Sequence, residues 1–363
     1  MRDGLLHTEA GTMNNFASAE VFMSQMVRPL DMPRLELEPI IEIARPESLM
    51  LLENPGFKPY RYGRAHAFIS LVENVRVIDT GYLVTDDGIV VHGVTSGNYE
   101  SNIEGQLRDY QIPDGGELKG EYVLIWGREN FGHWLLTYTM RATLLFWAPE
   151  LLGKTLLIKE GLPKRYIEWL QKMGFRYFVF GRDGVKVKTL WVPSVVTYRG
   201  HYDDQLPYVF PQSLDLMRSL ILKKLQLPTL KRERIYISRA KAKWRNLENE
   251  EEVASFLEKN RIRRVFMEDL SVDEQLQLIS RCELVVVHCG GGSAITMFAP
   301  KDCKIVEINV PDCVATFASR CWAHMLGQKF LRYDATPTKQ TGALPIDMDS
   351  VVDLNKLGGV LWQ

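Results

Sequence analysis

The sequence predicts an α/β protein of two domains, in which strands alternate with helices, and three observations lead there. Between Arg234 and Asn309 the apolar pattern runs strand, helix, strand, helix, strand, helix, strand with short connections, as in a parallel sheet covered on both faces. Within it, Glu283-Leu284-Val285-Val286-Val287-His288 is too continuously apolar for a half-exposed strand and reads as a buried parallel one. Finally, 363 residues exceed what one hydrophobic core usually organises, and 46% hydrophobic residues suffice to build two.

Residues 1–60 carry Pro29, Pro33, Pro39, Pro46, Pro55 and Pro59 and read as an irregular arm. A first α/β domain is expected over 61–227. It opens with a hairpin, Tyr82-Leu83-Val84-Thr85 and Ile89-Val90-Val91-His92, turned by Asp86-Asp87-Gly88. A strand follows at 122–126, then Asn130-Phe131-Gly132-His133-Trp134 starts a helix to about Trp147 that is apolar nearly all round and therefore buried. His133 falls on its first turn, where the backbone dipole disfavours imidazolium and leaves a neutral ring able to take a proton. A strand at 155–158, a helix over 164–173, strands at 177–180 and 189–192, and a helix opened by Pro211 complete the domain. Leu227-Pro228 ends that helix and makes 228–233 the connection.

The second domain, 228–335, holds the chemistry. Its first strand ends in Ser238-Arg239, and Lys241, Lys243 and Arg245 follow, so that four cations face one acceptor of negative charge. Asn249 with Glu252, and Ser271 with Glu274, are capping patterns that start helices near Glu250 and beyond Ser271, the latter carrying Gln275. After the buried strand, Cys289-Gly290-Gly291-Gly292-Ser293 is a strand-to-helix junction whose bare amides attract phosphate. Glu307, late in the next strand, is placed to accept ribose hydroxyls. The segment 336–363, with Val351, Val352, Leu354 and Leu357, is expected to cross back to the first domain. Asp347-Met348-Asp349 within it has the spacing of a metal-diphosphate acid pair but reads as loop or helix cap.

A formal net charge of -1 argues against nucleic acid as the main partner. The cysteines, Cys282, Cys289, Cys303, Cys313 and Cys321, are odd in number and lack a Cys-x-x-Cys pair, as reduced core residues do. Asp3 and Glu9 interrupt what a secretory leader would need, and no stretch has membrane-spanning length without His, Gly or charge, so a cytoplasmic location is expected.

Asn130-Phe131-Gly132-His133-Trp134, then Ser238-Arg239 with Arg245 and Asn249-Glu250, then Glu274-Gln275 leading to His288-Cys289-Gly290, together resemble glycosyltransferase family 61 over roughly residues 70–330. The family's usual run after the last strand is His-Gly-Ala; here Cys289 intervenes. The resemblance implies two Rossmann-like domains facing a cleft, the glycosyltransferase B type, with inversion of stereochemistry and no required metal or other cofactor. It further implies a nucleoside-diphosphate sugar as donor, and a hydroxyl of a glycan or lipid-linked acceptor. Bacterial members linked to surface and capsular polysaccharide synthesis are the branch it is most similar to. Peripheral association with the inner face of the membrane, and self-association, are compatible with that.

Such a transfer needs a base for the acceptor hydroxyl and positive charge for the departing diphosphate. His133 is the candidate base. Arg239, Arg245, Gly290, Gly291, Gly292, Ser293 and Glu307 are the donor-site candidates, with Asn130, Lys243, Asn249, Glu274, Gln275 and His288 as further ones. Each has a purely structural alternative. His133 would bond a loop, Arg239 and Arg245 would pair with Glu248, Glu250 and Glu251, the glycines would serve a tight turn, and His288 would be a satisfied core histidine. Trp126, Phe131, Trp134 and Tyr138 either stack on acceptor sugar or fill the core, and His201, Asp203 and Asp204 form a polar loop. An esterase is disfavoured, because His288-Cys289-Gly290-Gly291 has no Gly-x-Ser-x-Gly turn beside it. A polysaccharide pyruvyl transferase and a non-catalytic sugar-nucleotide-binding assembly protein remain as alternatives.

Overall fold

In the computed structural model, residues 67–78, 81–85, 115–198, 210–225, 232–310, 316–342 and 347–363 are described, together with short isolated strands elsewhere. The expected N-terminal arm, the turn at 86–89, the loop holding His201, Asp203 and Asp204, residues 228–231 and Cys313 lie outside the described residues. The chain divides into two compact units: one of residues 1–47, 64–129 and 136–198, the other of 48–63, 130–135 and 199–363.

The first unit is built on one sheet. Tyr177–Phe180, Thr155–Lys159, Glu117–Leu124 and Val185–Pro193 run parallel in that order, with the helix Lys164–Met173 between two of them in sequence. Val185–Pro193 then pairs antiparallel with Ala67–Val77, which continues antiparallel through Leu83–Thr85 to Val90–Val91, the expected hairpin. The sheet is thus mixed rather than wholly Rossmann-like. Connection length accounts for the antiparallel pairing of Ala67–Val77 with Leu83–Thr85, since a tight turn can only return the chain antiparallel, whereas a helical crossover allows parallel pairing. The expected helix over 131–147 is continuous but changes pitch, with one α turn at Phe131–His133, a wide π stretch at Trp134–Thr139 and a tight 3-10 stretch at Met140–Trp147. Its apolar side chains Leu135, Leu136, Tyr138, Met140, Leu144 and Leu145 are buried, as the all-round apolar pattern requires.

The main sheet of the second unit has five strands, all parallel, in the order Arg263–Val265, Glu233–Ile237, Cys282–His288, Lys304–Asn309 and Lys329–Asp334. This is a Rossmann-like sheet. Cys282–His288 occupies its centre, and all of its residues except the partly exposed Glu283 are buried. Glu250–Lys259, Val272–Ile279, Gly291–Phe298 and Thr316–Met325 are the helical crossovers. The Ser271–Glu274 capping box forms, with Ser271 N donating to Glu274 Oε2 at 2.8 Å. Among the described residues, Cys282, Cys289, Cys303 and Cys321 are buried and in no disulfide, as expected of reduced core residues.

Two boundaries differ from the sequence expectation. The helix Pro211–Leu222 belongs to the second unit, where both terminal nitrogens of Arg218 donate to Ala299 O at 3.2 Å. The tail does not cross back either. Val352, Leu357 and Leu361 join Tyr236, Leu257, Leu284 and Val306 in one apolar cluster, so the helix Leu354–Leu361 covers the second unit's own sheet. Lys304 Nζ donates to Leu361 O at 2.6 Å and Lys329 Nζ to Gln363 O at 2.7 Å, meeting carbonyls that a helix C-terminus leaves open.

Asn249 holds that tail in place. It stands just before the helix Glu250–Lys259, as expected, but its amide does not cap the helix. Nδ2 donates to Val352 O at 2.9 Å, and Oδ1 accepts from Val352 N at 3.0 Å. Replacing it with alanine strands both groups of Val352 in a half-buried position. Urea denaturation of Asn249→Ala should show a loss of about 2 kcal/mol.

Candidate functional site

The strand Glu233–Ile237 delivers Ser238 and Arg239 at its carboxyl end, and a buried carboxylate fixes their entry. Glu250 accepts from Tyr236 Oη at 2.6 Å and from Ser238 Oγ, and lies 3.3 Å from Arg264 Nη2. Ser238 Oγ in turn accepts from Ala240 N at 3.2 Å, which bends the loop. Burial first, then the adjacent Glu250 carboxylate, raises the Tyr236 phenol far above its ordinary range, so it acts only as a donor.

Arg239 turns back over the glycine junction. Its Nη2 donates to Trp244 O at 2.9 Å, and a Cβ built on Gly290 would stand 1.9 Å from Nη1. Gly290 is glycine because a guanidinium occupies the space of its side chain. Its φ of 164° is ordinary extended backbone, so a side chain here would meet no backbone strain but would have to displace the guanidinium. Burial, then the charge of Arg245, brings the Arg239 pKa down to about 10, which still leaves it charged at neutral pH.

Arg245 sits at φ 62°, a left-handed conformation that a side chain resists. The segment after it is strapped by the hairpin Thr336–Gln340 and Met348–Val351. Asn246 N donates to Asp349 Oδ1 at 2.8 Å, Glu248 N to Ser350 O at 2.9 Å, and Ser350 N to Asn246 O at 3.0 Å. Arg245 Nε lies 3.7 Å from Asp347 Oδ1, with both side chains largely buried.

His288 closes the cluster from behind, at 2% exposure and with neither ring nitrogen hydrogen-bonded among the described residues. The sequence reading of a satisfied core histidine is therefore half right: it is in the core, but unsatisfied. Burial first, then Arg239 and Arg245, hold its pKa well below the ordinary value, so the ring is neutral. Its proton is taken up more readily by the unfolded chain, so stability rises with pH from the depressed folded value up to about 6.5 and is lost below that. His288→Asn should flatten that part of the stability–pH curve, by up to about 1.4 kcal/mol per pH unit in guanidinium titrations.

The remaining wall comes from far away in sequence. Asn130–Leu135 belongs to the second unit, and Asn130 Oδ1 accepts from His133 N at 3.1 Å to start the turn Phe131–His133. A Cβ on Gly291 would be 3.4 Å from Gly132 N and 3.8 Å from Asn130 Oδ1, so this turn rests on the glycine junction. His133 is half-buried there. The sequence alone assigns it to the first domain.

The structure gathers Asn130, His133, Arg239, Arg245, His288, Gly290, Gly291 and Gly292 into one unit, and gives several other candidates plain structural work. Ser293 Oγ donates to Gly290 O at 2.7 Å and closes the turn. Glu274 is the cap described above, and Gln275 Nε2 donates to Met267 O at 2.7 Å. Lys243 is exposed, its ammonium 4.5 Å from the Trp244 ring, while Lys241 pairs with Asp269. Glu307 has no exposed surface, lying between Val287 and Arg332 in the sheet. Trp126, Trp134 and Tyr138 are buried core residues, Trp126 and Tyr138 meeting edge to face at 5.4 Å. The expected surface pairs also differ, since Glu250 and Glu251 bind Arg264, and Glu248 binds Thr338. Asp347 and Glu250 went unrecognised as parts of the site. The Asp-x-Asp spacing was visible, but nothing local pointed to Arg245 as its partner.

A Rossmann-like unit with arginines in the loop after a parallel strand, beside a glycine junction and a histidine turn, has the frame in which ligands bind beyond the carboxyl ends of the strands. Residues 131–306 match the family model Glycosyltransferase 61, and the chain is a glycosyltransferase. Over that segment the chain is similar to glycosyltransferase family 61. Among solved structures, the heptosyltransferase WaaC of E. coli with ADP is 12% identical, with TM-score 0.34, and the match covers 66% of this chain and 99% of that one. The iron-containing dodecameric glycosyltransferase TibC from enterotoxigenic E. coli H10407 is 13% identical, with TM-score 0.30, over 75% of this chain and 80% of that one. No curated protein matches the chain significantly.

Proposed function

We propose that this glycosyltransferase moves a sugar from a nucleoside-diphosphate sugar to a hydroxyl of a glycan or lipid-linked acceptor, with inversion, in surface polysaccharide synthesis. The observation that carries the donor class is the Arg239 guanidinium lying against Gly290, with Arg245 close enough to lower its pKa. Two like charges held together in a half-buried place repel each other, and a diphosphate relieves that repulsion. The amides of Gly291 and Gly292, bare of side chains, add donors for the same oxygens.

In this reading the acceptor oxygen attacks the anomeric carbon as the bond from that carbon to the diphosphate oxygen breaks. The bonding pair leaves with the diphosphate, where Arg239 and Arg245 meet the growing charge. The acceptor proton passes to the His133 imidazole. Charge stabilisation falls to the two guanidinium groups, and no metal is assigned a part. The match beginning at Phe131 supports placing His133 in the reaction, because it makes the histidine turn part of the family's segment.

Titration calorimetry of the full chain with UDP, GDP, CDP and ADP tests the donor class. One of them should bind with a Kd between about 1 μM and 1 mM, the range usual for enzyme substrates. Failure of all four at millimolar concentration would overturn the proposal.

A further inference from the structure

Asp347 stands outside the matched segment, yet its carboxylate oxygen is 3.7 Å from Arg245 Nε. Its surroundings are built. Thr341 N donates to Asp347 O at 2.8 Å, and a Cβ on Gly342 would be 2.4 Å from Asp347 Oδ2, so that position has to be glycine for the carboxylate to be held. Asp349, two residues on and within the strand Met348–Val351, aims its carboxylate at Asn246 N instead.

The two acids therefore do different things. Asp349, with Ser350 and the Asn249 clamp on Val352, fixes the backbone of the segment after Arg245. The contact from Asp347 is a charge contact only: Arg245 Nε, though buried, makes no hydrogen bond among the described residues. Removing the Asp347 charge thus leaves the arginine's backbone support standing and takes away the anion beside it. An anion beside a diphosphate site weakens binding of every anion there, and weakens it more as the anion's charge grows.

Glycosyl transfer raises that charge. In the donor the terminal phosphate is esterified, while in the product the electron pair of the broken bond sits on a free oxygen, so the nucleoside diphosphate that remains carries one more negative charge. We propose that Asp347 is a specificity-determining counter-charge which disfavours the free nucleoside diphosphate relative to the nucleoside-diphosphate sugar, and so promotes release of product. This rests on the reading of Arg239 and Arg245 as diphosphate ligands.

The test is calorimetry on the full chain, native and Asp347→Asn, with whichever of UDP, GDP, CDP and ADP binds, and with its hexose ester. One charge removed at about 8 Å in a partly wet site changes affinity roughly fivefold to tenfold. Asp347→Asn should tighten the free diphosphate by about that factor and the hexose ester by less. A diphosphate affinity that is unchanged or weaker in Asp347→Asn overturns the proposal, because a mere tether for Arg245 would weaken binding on loss. Asp347→Ser carries the same expected sign if the asparagine variant does not fold. Arg239→Ala serves as the control: if it leaves affinity unchanged, the donor-site reading falls and this inference with it. If it weakens binding while Asp347→Asn fails to tighten it, only the role of Asp347 falls.

Discussion

His133→Ala is expected to lower kcat by roughly 10²- to 10⁴-fold, the usual worth of a positioned general base, while nucleoside-diphosphate affinity stays within about twofold. The separation follows from geometry. The contact that builds the turn uses the backbone N of His133, held by Asn130 Oδ1 at 3.1 Å, and that contact survives loss of the ring. The junction at Gly291 meets Gly132, Asn130 and Phe131, so the backbone of the glycine junction keeps its support as well. Steady-state kinetics paired with calorimetry decides the matter. Equal loss of affinity and turnover would make His133 a structural residue of the turn, and full retention of turnover would move the base elsewhere.

The second large effect is on binding. Arg239→Ala should weaken the nucleoside diphosphate by about one to two orders of magnitude, the cost of a charge-assisted contact. Gly290→Ala should imitate it without touching the arginine, because its methyl would enter the space 1.9 Å from Nη1 and push the guanidinium aside. Combining the two should add little to either alone, as expected of changes that act through one contact. Calorimetric Kd values for the two single variants and the double variant check this, and strictly additive losses would show that Gly290 and Arg239 act separately.

The second unit was legible in the sequence to the extent that its signals are local. Capping at Ser271 and Glu274, the apolar run over Val285, Val286 and Val287, and the glycines after His288 each sit within a few residues of what they cause. The mixed sheet of the first unit was only half legible. Its hairpin was read, but the antiparallel pairing of Ala67–Val77 with Val185–Pro193 joins segments that no short-range pattern links. Asn249 shows the limit most clearly. Its identity suits a cap, and the helix does start there, yet the amide finds a better partner in Val352, about a hundred residues on. Arg245 with Asp347, and the burial of Glu250 under Tyr236 and Ser238, were hidden for the same reason: a side chain's partner is fixed by folding, and spacing along the chain does not record it. Pitch changes within 131–147 leave no mark on a helix that is apolar nearly all round, because most rotations still find an apolar neighbour.

Residues 130–135 belong with the second unit although the chain on both sides of them, 64–129 and 136–198, belongs with the first. Anyone recombining halves of two such enzymes inherits a constraint from that. A splice near residue 199 would import a foreign histidine turn against the native glycine junction. Chimeras that graft the six-residue stretch back from the parent supplying the arginines should recover function, and those joined at the obvious seam should not.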